Sequence, residues 1–465
     1  MSSWIRRCNH TYIHTGSLSL PLPAQDKFLL LRGSVQLALT HLVRVVAWDS
    51  VKGAVQQLQD RVMAAAREIM NHPHMPAVAE EQLRLPLRHG GFGLMDITEL
   101  EADAAYLSSA ALAHDAMRDG PPDFRPFTDG ELAECLQAKW TALRAAMPPE
   151  ADRGPEELDD IFIATGLPGM SRKVTRAVAQ TRHDALLQQL GSTPGGAKDL
   201  ARMRSCACRV ASLFLDSLPT NRMLTLNDGD FVHGMRFRGG LSPLPPLDGE
   251  VICDCNARVK PGDVDHAMTC RHNADCWTLR HNIAITAWRR RVRAVGVSTS
   301  IEPVMRSLDR RYRDDSRGDI LANGPGVDVY VLDVSFIHPS GVAVVGKASG
   351  EKGYAAEVRE KFKLNKYKES VQGSYKVVPV VHETYGRLGS HAMQYLNTLA
   401  VSLVGPLDKR AKARWIENSL REFSAATVKG NGFVIRKTMS RVARLTGAQF
   451  VPCDRLAGSH LLASM

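Results

Sequence analysis

The chain has 465 residues, 44% hydrophobic and 6% aromatic, which is room for two or three domains, since single cores rarely grow past about 250–300 residues. Its 59 lysines and arginines against 49 aspartates and glutamates leave a net charge of +10, which suits a polyanionic partner, although a solvated basic surface without a specific partner satisfies the same count. The 9 cysteines are too few for a disulfide scaffold, and their clustering at 206–208 and 253–270 is metal-like.

The N-terminus, MSSWIRRCNHTYIHTG, lacks the apolar core of a signal peptide. Apolar runs such as Phe28 to Leu31 fall far short of a membrane span. These features predict an intracellular protein in a reducing compartment, with no membrane partner.

In chain order, apolar residues recur at helical spacing from Phe28 to Val46 and from Val51 to Ile69. A loop is predicted at LPLRHGGFGL (85 to 94), then an Ala- and Leu-rich helix around Ala104 to Leu112. The Pro-, Gly- and acid-rich stretch 118–170 reads as a boundary with short helices, and 171–218 returns to helix. Pro243, Pro245 and Pro246 mark an extended linker. Beyond Trp277 the spacing predicts a basic helix from Ala284 to Ala294, strands at 327–336 and 341–346, a charged helix over 354–370, a strand at 376–381, and helices from about 390. Strand, strand, helix, strand reads as a compact α/β unit. The predicted fold class is therefore mixed: an α-helical N-terminal half, a small zinc knuckle, then an α/β domain.

The segment CDCNARVKPGDVDHAMTC offers Cys253, Cys255, His266 and Cys270. Zinc takes four nitrogen or sulfur ligands as a tetrahedron. A Cys-x-Cys bend supplies two, Lys260-Pro261-Gly262 reverses the chain, and His266 and Cys270 share one helix face. His272 and Cys276 stand in reserve. Four protein ligands close the site, so its predicted role is structural; a chance cluster of buried thiols is the alternative. Cys206 and Cys208 have no histidine nearby and read as core.

Asp333 lies inside the apolar run VYVLDVSF, and Asp319 ends Arg317-Gly318-Asp319. A carboxylate within an apolar strand is unexpected unless it faces a site. Two carboxylates on adjacent strands suit Mg²⁺, which keeps positions for water and phosphate. Lys363 and Lys366 share a helix face with Tyr367 close by. Strand capping or an arginine partner would account for Asp333, and a solvated face for the lysines. Tyr312-Arg313-Asp314-Asp315 spells a polymerase string, but its arginine-rich surroundings are unlike a palm hairpin.

Taken together, CxC…HAMTC, Arg280-His281-Asn282, Arg317-Gly318-Asp319 followed by Asp333, and the KxxKY of Lys363, Lys366 and Tyr367 resemble the restriction-like endonuclease class of non-LTR retrotransposons. LPLRHGGFGL followed by AAYLSSAALA resembles the segment after the polymerase palm of these polyproteins, so the likeness covers most of 28–400.

The resemblance implies a helical segment over 1–118, a helical linker region over 119–245, a CCHC zinc knuckle with the Arg-His-Asn element over 246–283, a PD-(D/E)xK-type nuclease over 284–400 and a basic helical tail over 401–465. It makes Asp319 and Asp333 magnesium or manganese ligands and gives Lys363, Lys366 and Tyr367 catalytic roles. VVPVVHETYGRLG is similar to the family's last sheet region, which brings Glu383 near the site.

Arg280, His281, Asn282, Arg289, Arg290, Arg291 and Arg293 are the expected nucleic-acid contacts, mainly to phosphate. DNA, the element's RNA and a reverse transcriptase encoded elsewhere are the implied partners, and the nucleus the implied location. The family carries proline where this chain has Gly318, a change expected to loosen the backbone at the metal site. Its knuckle also differs here, with one residue fewer between the first cysteines and a longer gap before His266. A nicking endonuclease is the leading expectation; a nuclease-dead remnant that binds nucleic acid, or a zinc-stabilised interaction protein, are the alternatives.

Overall fold

A computed structural model describes residues 21–117, 131–146, 169–244, 247, 249–308, 317–323, 328–367 and 375–447. The polymerase-like string at 312–315, together with Pro245 and Pro246, lies outside these residues.

The first half is helical: α1 (Ala24–Leu30), α2 (Leu37–Val45), α3 (Trp48–Ile69), α4 (Ala77–Arg84), α5 (Glu99–Met117), α6 (Glu131–Ala146), α7 (Met170–Gly191), α8 (Gly196–Cys206) and α9 (Asp228–Arg238). On α3, Val51, Val55, Gln59, Val62, Ala66 and Ile69 fall inward at three- and four-residue steps, as amphipathic spacing requires. Ala24–Val45 has the length and apolar composition of a membrane span. Here it is interrupted by a π-helical turn, Leu31–Val35. Buried Gln25 and Gln36 tie it into the fold by donating to the Ser217 and Gly93 carbonyls.

The loop at 85–94 turns on glycine: Gly90 and Gly93 have φ of +83° and +72°, and a Cβ on Gly91 would meet the Leu85 carbonyl oxygen at 1.9 Å. Part of the stretch expected as a boundary is the helix α6, whose Leu136, Trp140 and Leu143 join a core with Leu107 of α5 and Val174 of α7.

The second half follows with the hairpin β1 (Val251–Ile252) and β2 (Arg258–Val259), then α10 (Ala274–Arg293), β3 (Ser298–Ile301), β4 (Ile320–Asn323), β5 (Val329–Ile337), α11 (Tyr354–Lys366), β6 (Tyr375–Glu383), α12 (Ser390–Val404) and α13 (Lys409–Thr446). The sheet order is β3-β4-β5-β6; the first two pairings are antiparallel and β5–β6 is parallel. Helix α11 makes the crossover that a parallel pair needs.

Three expectations are corrected. GVAVVG is not a strand: β5 is already paired on both sides, and the segment turns into a one-turn helix, Val345–Ala348, with Val342 exposed. The basic helix begins at Ala274, ten residues before the expected 284, so Arg280-His281-Asn282 lies inside it.

The third correction concerns the supposed basic tail. α13 buries residues along much of its length and enters three cores: Leu420, Phe423 and Ala426 under the sheet, Ala425 and Val428 among the N-terminal helices, and Val434, Ile435, Met439 and Val442 beside the cysteines. The boundaries expected at 283/284 and 400/401 therefore do not separate cores. Gly430 and Gly432 let neighbours close in on this helix. A Cβ on Gly430 would meet Arg280 Cγ at 2.5 Å, and one on Gly432 would meet Asp230 Oδ1 of α9 at 1.9 Å. Trp288 of α10 stacks on Phe423 at 4.1 Å and donates to His382 Nε2 at 3.0 Å, locking α10, α13 and β6 together.

Candidate metal centre and carboxylate site

Cys253, Cys255, His266 and Cys270 converge, with all four ligand atoms within 4.8 Å of one another. The sequence builds this from a hairpin and a helical turn. β1 and β2 bring the chain back on itself, Asn256 adopts φ +65° to close the bend, and Asp263 accepts from the His266 amide at 2.8 Å to start the turn His266–Thr269.

Cys253 Sγ and Cys270 Sγ stand 3.8 Å apart, about the edge of a tetrahedron with zinc–sulfur bonds of roughly 2.3 Å. His266 Nε2 is buried with no hydrogen-bond partner, a cost that a metal bond would remove. Burial also lowers the His266 pKa, favouring the neutral ligand form. Burial, with Cys253 beside it, pushes the Cys270 thiol up to about 12, so a thiolate there needs a positive centre. The donor set fits a metal such as zinc. His272 and Cys276 are not members of the group.

Arg441 of α13 donates to Cys270 Sγ at 3.2 Å and to the His272 carbonyl at 2.8 Å, fixing the ligand loop from outside. Nothing in the local sequence signals it, because it comes from 171 residues away. Cys206 is core and Cys208 gives its thiol to the Ser205 carbonyl, as expected of core residues.

The carboxylates sit on the sheet. The β4–β5 register ends with Ile320 opposite Leu332, so Asp319 stands just before β4, beside the Leu332–Val334 stretch of β5 that holds Asp333. The Asp319 amide donates to the Leu332 carbonyl at 3.0 Å. Asp333 is 4% exposed; its Oδ1 accepts from Lys363 Nζ of α11 at 2.6 Å, and its Oδ2 is buried without a partner. Asp319 Oδ2 accepts from the Val334 amide at 2.5 Å and lies 3.2 Å from His281 Nε2. Burial pulls the His281 pKa down, but the Asp319 hydrogen bond and charge outweigh it and the net shift is upward.

The backbone at Gly318 is not loose. Its amide donates to the Pro303 carbonyl at 3.1 Å, Glu302 donates to the Asp319 carbonyl at 3.1 Å, and a Cβ on Gly318 would meet Val331 Cγ1 at 2.4 Å. Glycine supplies an N–H and leaves space for Val331; proline would do neither.

The remaining expected residues divide. Lys366 is exposed over the Tyr367 ring, while Tyr367 is fully buried with its hydroxyl on the Arg317 carbonyl, bracing the loop that carries Asp319. Glu383 is not beside the aspartates: Asp333 faces Pro379 across β5–β6, four residues before Glu383, or about 13 Å along the strand. Glu383 instead accepts from Ser205 Oγ and the Ala356 amide.

Arg280 is corrected as a phosphate contact. It is 6% exposed, stacks on Phe336, donates to Asn431 Oδ1, and has its pKa lowered to about 10 by desolvation. Arg291 is mostly spent inside, paired with Glu422 at 2.5 Å. Asn282, Arg290 and Arg293 are exposed, Arg289 half-buried; Arg289 and Arg293 share Thr299 Oγ1, and Arg290 lies 3.5 Å from Glu422.

No family model and no curated protein matches the chain.

Proposed function

We propose that the chain is a metal-dependent DNA endonuclease module of a non-LTR retrotransposon, its sheet of the restriction-like kind, nicking target DNA to prime reverse transcription. The observation that carries the reading is the buried, partnerless Asp333 Oδ2 on β5, with Asp319 at the adjoining end of β4. Lys363 answers Oδ1, and Oδ2, desolvated inside the sheet, is the costly acceptor left for a further cation.

Asp319 and Asp333 would hold Mg²⁺ or Mn²⁺, which suits one or two carboxylates with positions left for water and phosphate. When bound, the ion lowers the pKa of water and offsets charge on the scissile phosphate. The protein's own groups do the rest. His281 and the Val334 amide fix Asp319 Oδ2, which leaves Oδ1 to face the site. Lys363 sits at Asp333 and is placed to orient the attacking water or neutralise the phosphorane. The zinc centre is structural, and DNA and the element's RNA are the nucleic-acid partners, with a reverse transcriptase polypeptide working alongside in the nucleus.

The test is conversion of supercoiled plasmid to open circles. Nicking with Mg²⁺ or Mn²⁺, and none with Ca²⁺ or chelator, is expected. DNA binding without nicking under any divalent ion would leave a binding remnant; neither binding nor nicking would sink both readings.

A further inference from the structure

The ends of two helices form a basic surface whose second half the assignments above leave unused. α10 and α13 run antiparallel: Asn273 meets Thr438, Arg280 meets Asn431, Trp288 meets Phe423, and Arg291 meets Glu422 and the Asn418 carbonyl. Along this pairing the end of α10 at Arg293 lies beside residue 418 or so. The α13 segment that begins with Lys409 therefore projects past it.

That segment reads KRAKAR, with Lys409, Arg410 and Arg414 exposed and Lys412 half-buried. None of the four has a carboxylate partner among the described residues. The neighbouring acid Glu417 is taken by Arg209 and Arg421, and Glu422 by Arg291.

Helix stability does not account for these cations. The N-cap Asp408 spends its carboxylate on the Ala411 amide, the first turn of α13 contains no acid, and positive charge there opposes the helix dipole, which favours cations at the other end. At the C-terminal end of α10, by contrast, Arg290 and Arg293 agree with the dipole. The α13 cations lie four to nine residues beyond Arg293 along α13 and seven to twelve beyond Arg290, roughly 6–18 Å at 1.5 Å per residue. A spread of that size reaches several phosphates, as an electrostatic grip on a duplex backbone requires.

On α10, Asn282, Thr286, Arg289 and Arg293 step by four, three and four residues. They form one stripe that starts beside His281, and so beside the carboxylates, and ends at the basic surface.

We propose that Lys409, Arg410, Lys412 and Arg414, together with Arg289, Arg290 and Arg293, form a duplex-DNA docking surface that grips the phosphate backbone, its α10 half about 12–18 Å from His281 along the helix and its α13 half beyond the end of α10. The α13 tip is its second, previously unassigned half. The proposal rests on the reading of the chain as a DNA-acting module. Its contacts are electrostatic and indifferent to sequence, and they place a distant stretch of duplex so that the reacting phosphate meets Asp319 and Asp333.

The test is fluorescence anisotropy of the full chain with a labelled duplex in chelator, over a salt series. A variant with Lys409, Arg410, Lys412 and Arg414 all replaced by alanine is compared with a control carrying Arg172→Ala and Arg222→Ala, two exposed arginines elsewhere. The α13 variant is expected to bind about tenfold or more weakly near physiological salt, with the slope of log K against log salt falling by about 2–3. The control should match the wild type. Exchanging each lysine for arginine and each arginine for lysine should restore the slope, which a folding defect would not allow. An unchanged slope in a folded α13 variant, an equal loss in the control, or a loss seen with single-stranded RNA but not with duplex would overturn the proposal. Because the assay needs no cleavage, the docking surface can fail while metal-dependent nicking stands, or hold while nicking fails.

Discussion

Gly430→Ala tests the close helix contact that sets α10 against α13. Two effects oppose each other. Alanine in a helix interior is favoured over glycine by about 1 kcal/mol. The new methyl, however, would stand 2.5 Å from Arg280 Cγ, 3.0 Å from its Cβ and 3.1 Å from its Cα. The last two atoms cannot be moved by turning a side chain, so α10 itself must shift. Overpacking of this kind costs about 1–3 kcal/mol, and a contact with backbone belongs at the upper end. The clash wins, with a net loss of about 2 kcal/mol. At about 2 cal/mol/K per residue the unfolding entropy of a chain this long is close to 1 kcal/mol/K, so the melting temperature should fall by roughly 2 °C, with a matching drop in denaturant midpoint. Gly53→Ala on α3 is the control: nothing lies within 4 Å of its Cβ, so only the propensity gain applies and the midpoint should rise. A Gly430→Ala protein as stable as Gly53→Ala would refute the described packing of α10 on α13.

Other outcomes follow from the same geometry. Purified protein should carry about one zinc per chain, and chelation or Cys270→Ala should lower the denaturation midpoint and expose the C-terminal half of α13, measured by metal analysis and hydrogen exchange, because Arg441 ties that helix to the ligand loop; folded protein with no metal would contradict it. Gly318→Pro, which puts proline before Asp319, should lower stability and not raise nicking, since it loses the bond to Pro303 and collides with Val331; a gain in activity would contradict it. Burial, with nearby positive charge, holds His382 and His233 at about 3. Both stay neutral when folded but protonate near 6.5 when unfolded, so stability should be full above that pH and fall as pH drops from about 6.5 toward 3, by on the order of 2 kcal/mol for each histidine at pH 5. Urea midpoints that are flat between pH 7 and 5 would contradict this.

The parts of the site legible in the sequence are those whose partners are near in sequence or fixed by period. Cys253, Cys255, His266 and Cys270 span one hairpin and one helical turn, so spacing alone foretold their convergence. Asp333 was conspicuous as a charge within an apolar run, and the β4–β5 pairing brings Asp319 to the same end of the strand pair. The arginines were not legible. Arg280 and Arg291 sit in a basic run that resembles a solvated face, and the residues that draw them inward, Asn431 and Glu422, come from a helix more than a hundred positions away. α13 itself reads as a charged tail because it touches three cores at once, so no single apolar stripe marks its buried surface. Glu383 looked near the aspartates from motif order, but the parallel register of β5 and β6 sets it four residues further on.

Asp333→Asn, measured for nicking and for duplex binding on the same preparations, tests the central claim most directly. The substitution keeps the volume and removes the charge at the buried oxygen that has no partner. The account predicts loss of Mg²⁺-dependent nicking by a factor of a thousand or so, as when a group that stabilises charge in the transition state is removed, with duplex affinity and its salt slope unchanged. Nicking that survives in Asp333→Asn, or nicking and binding lost together in a folded protein, would contradict it.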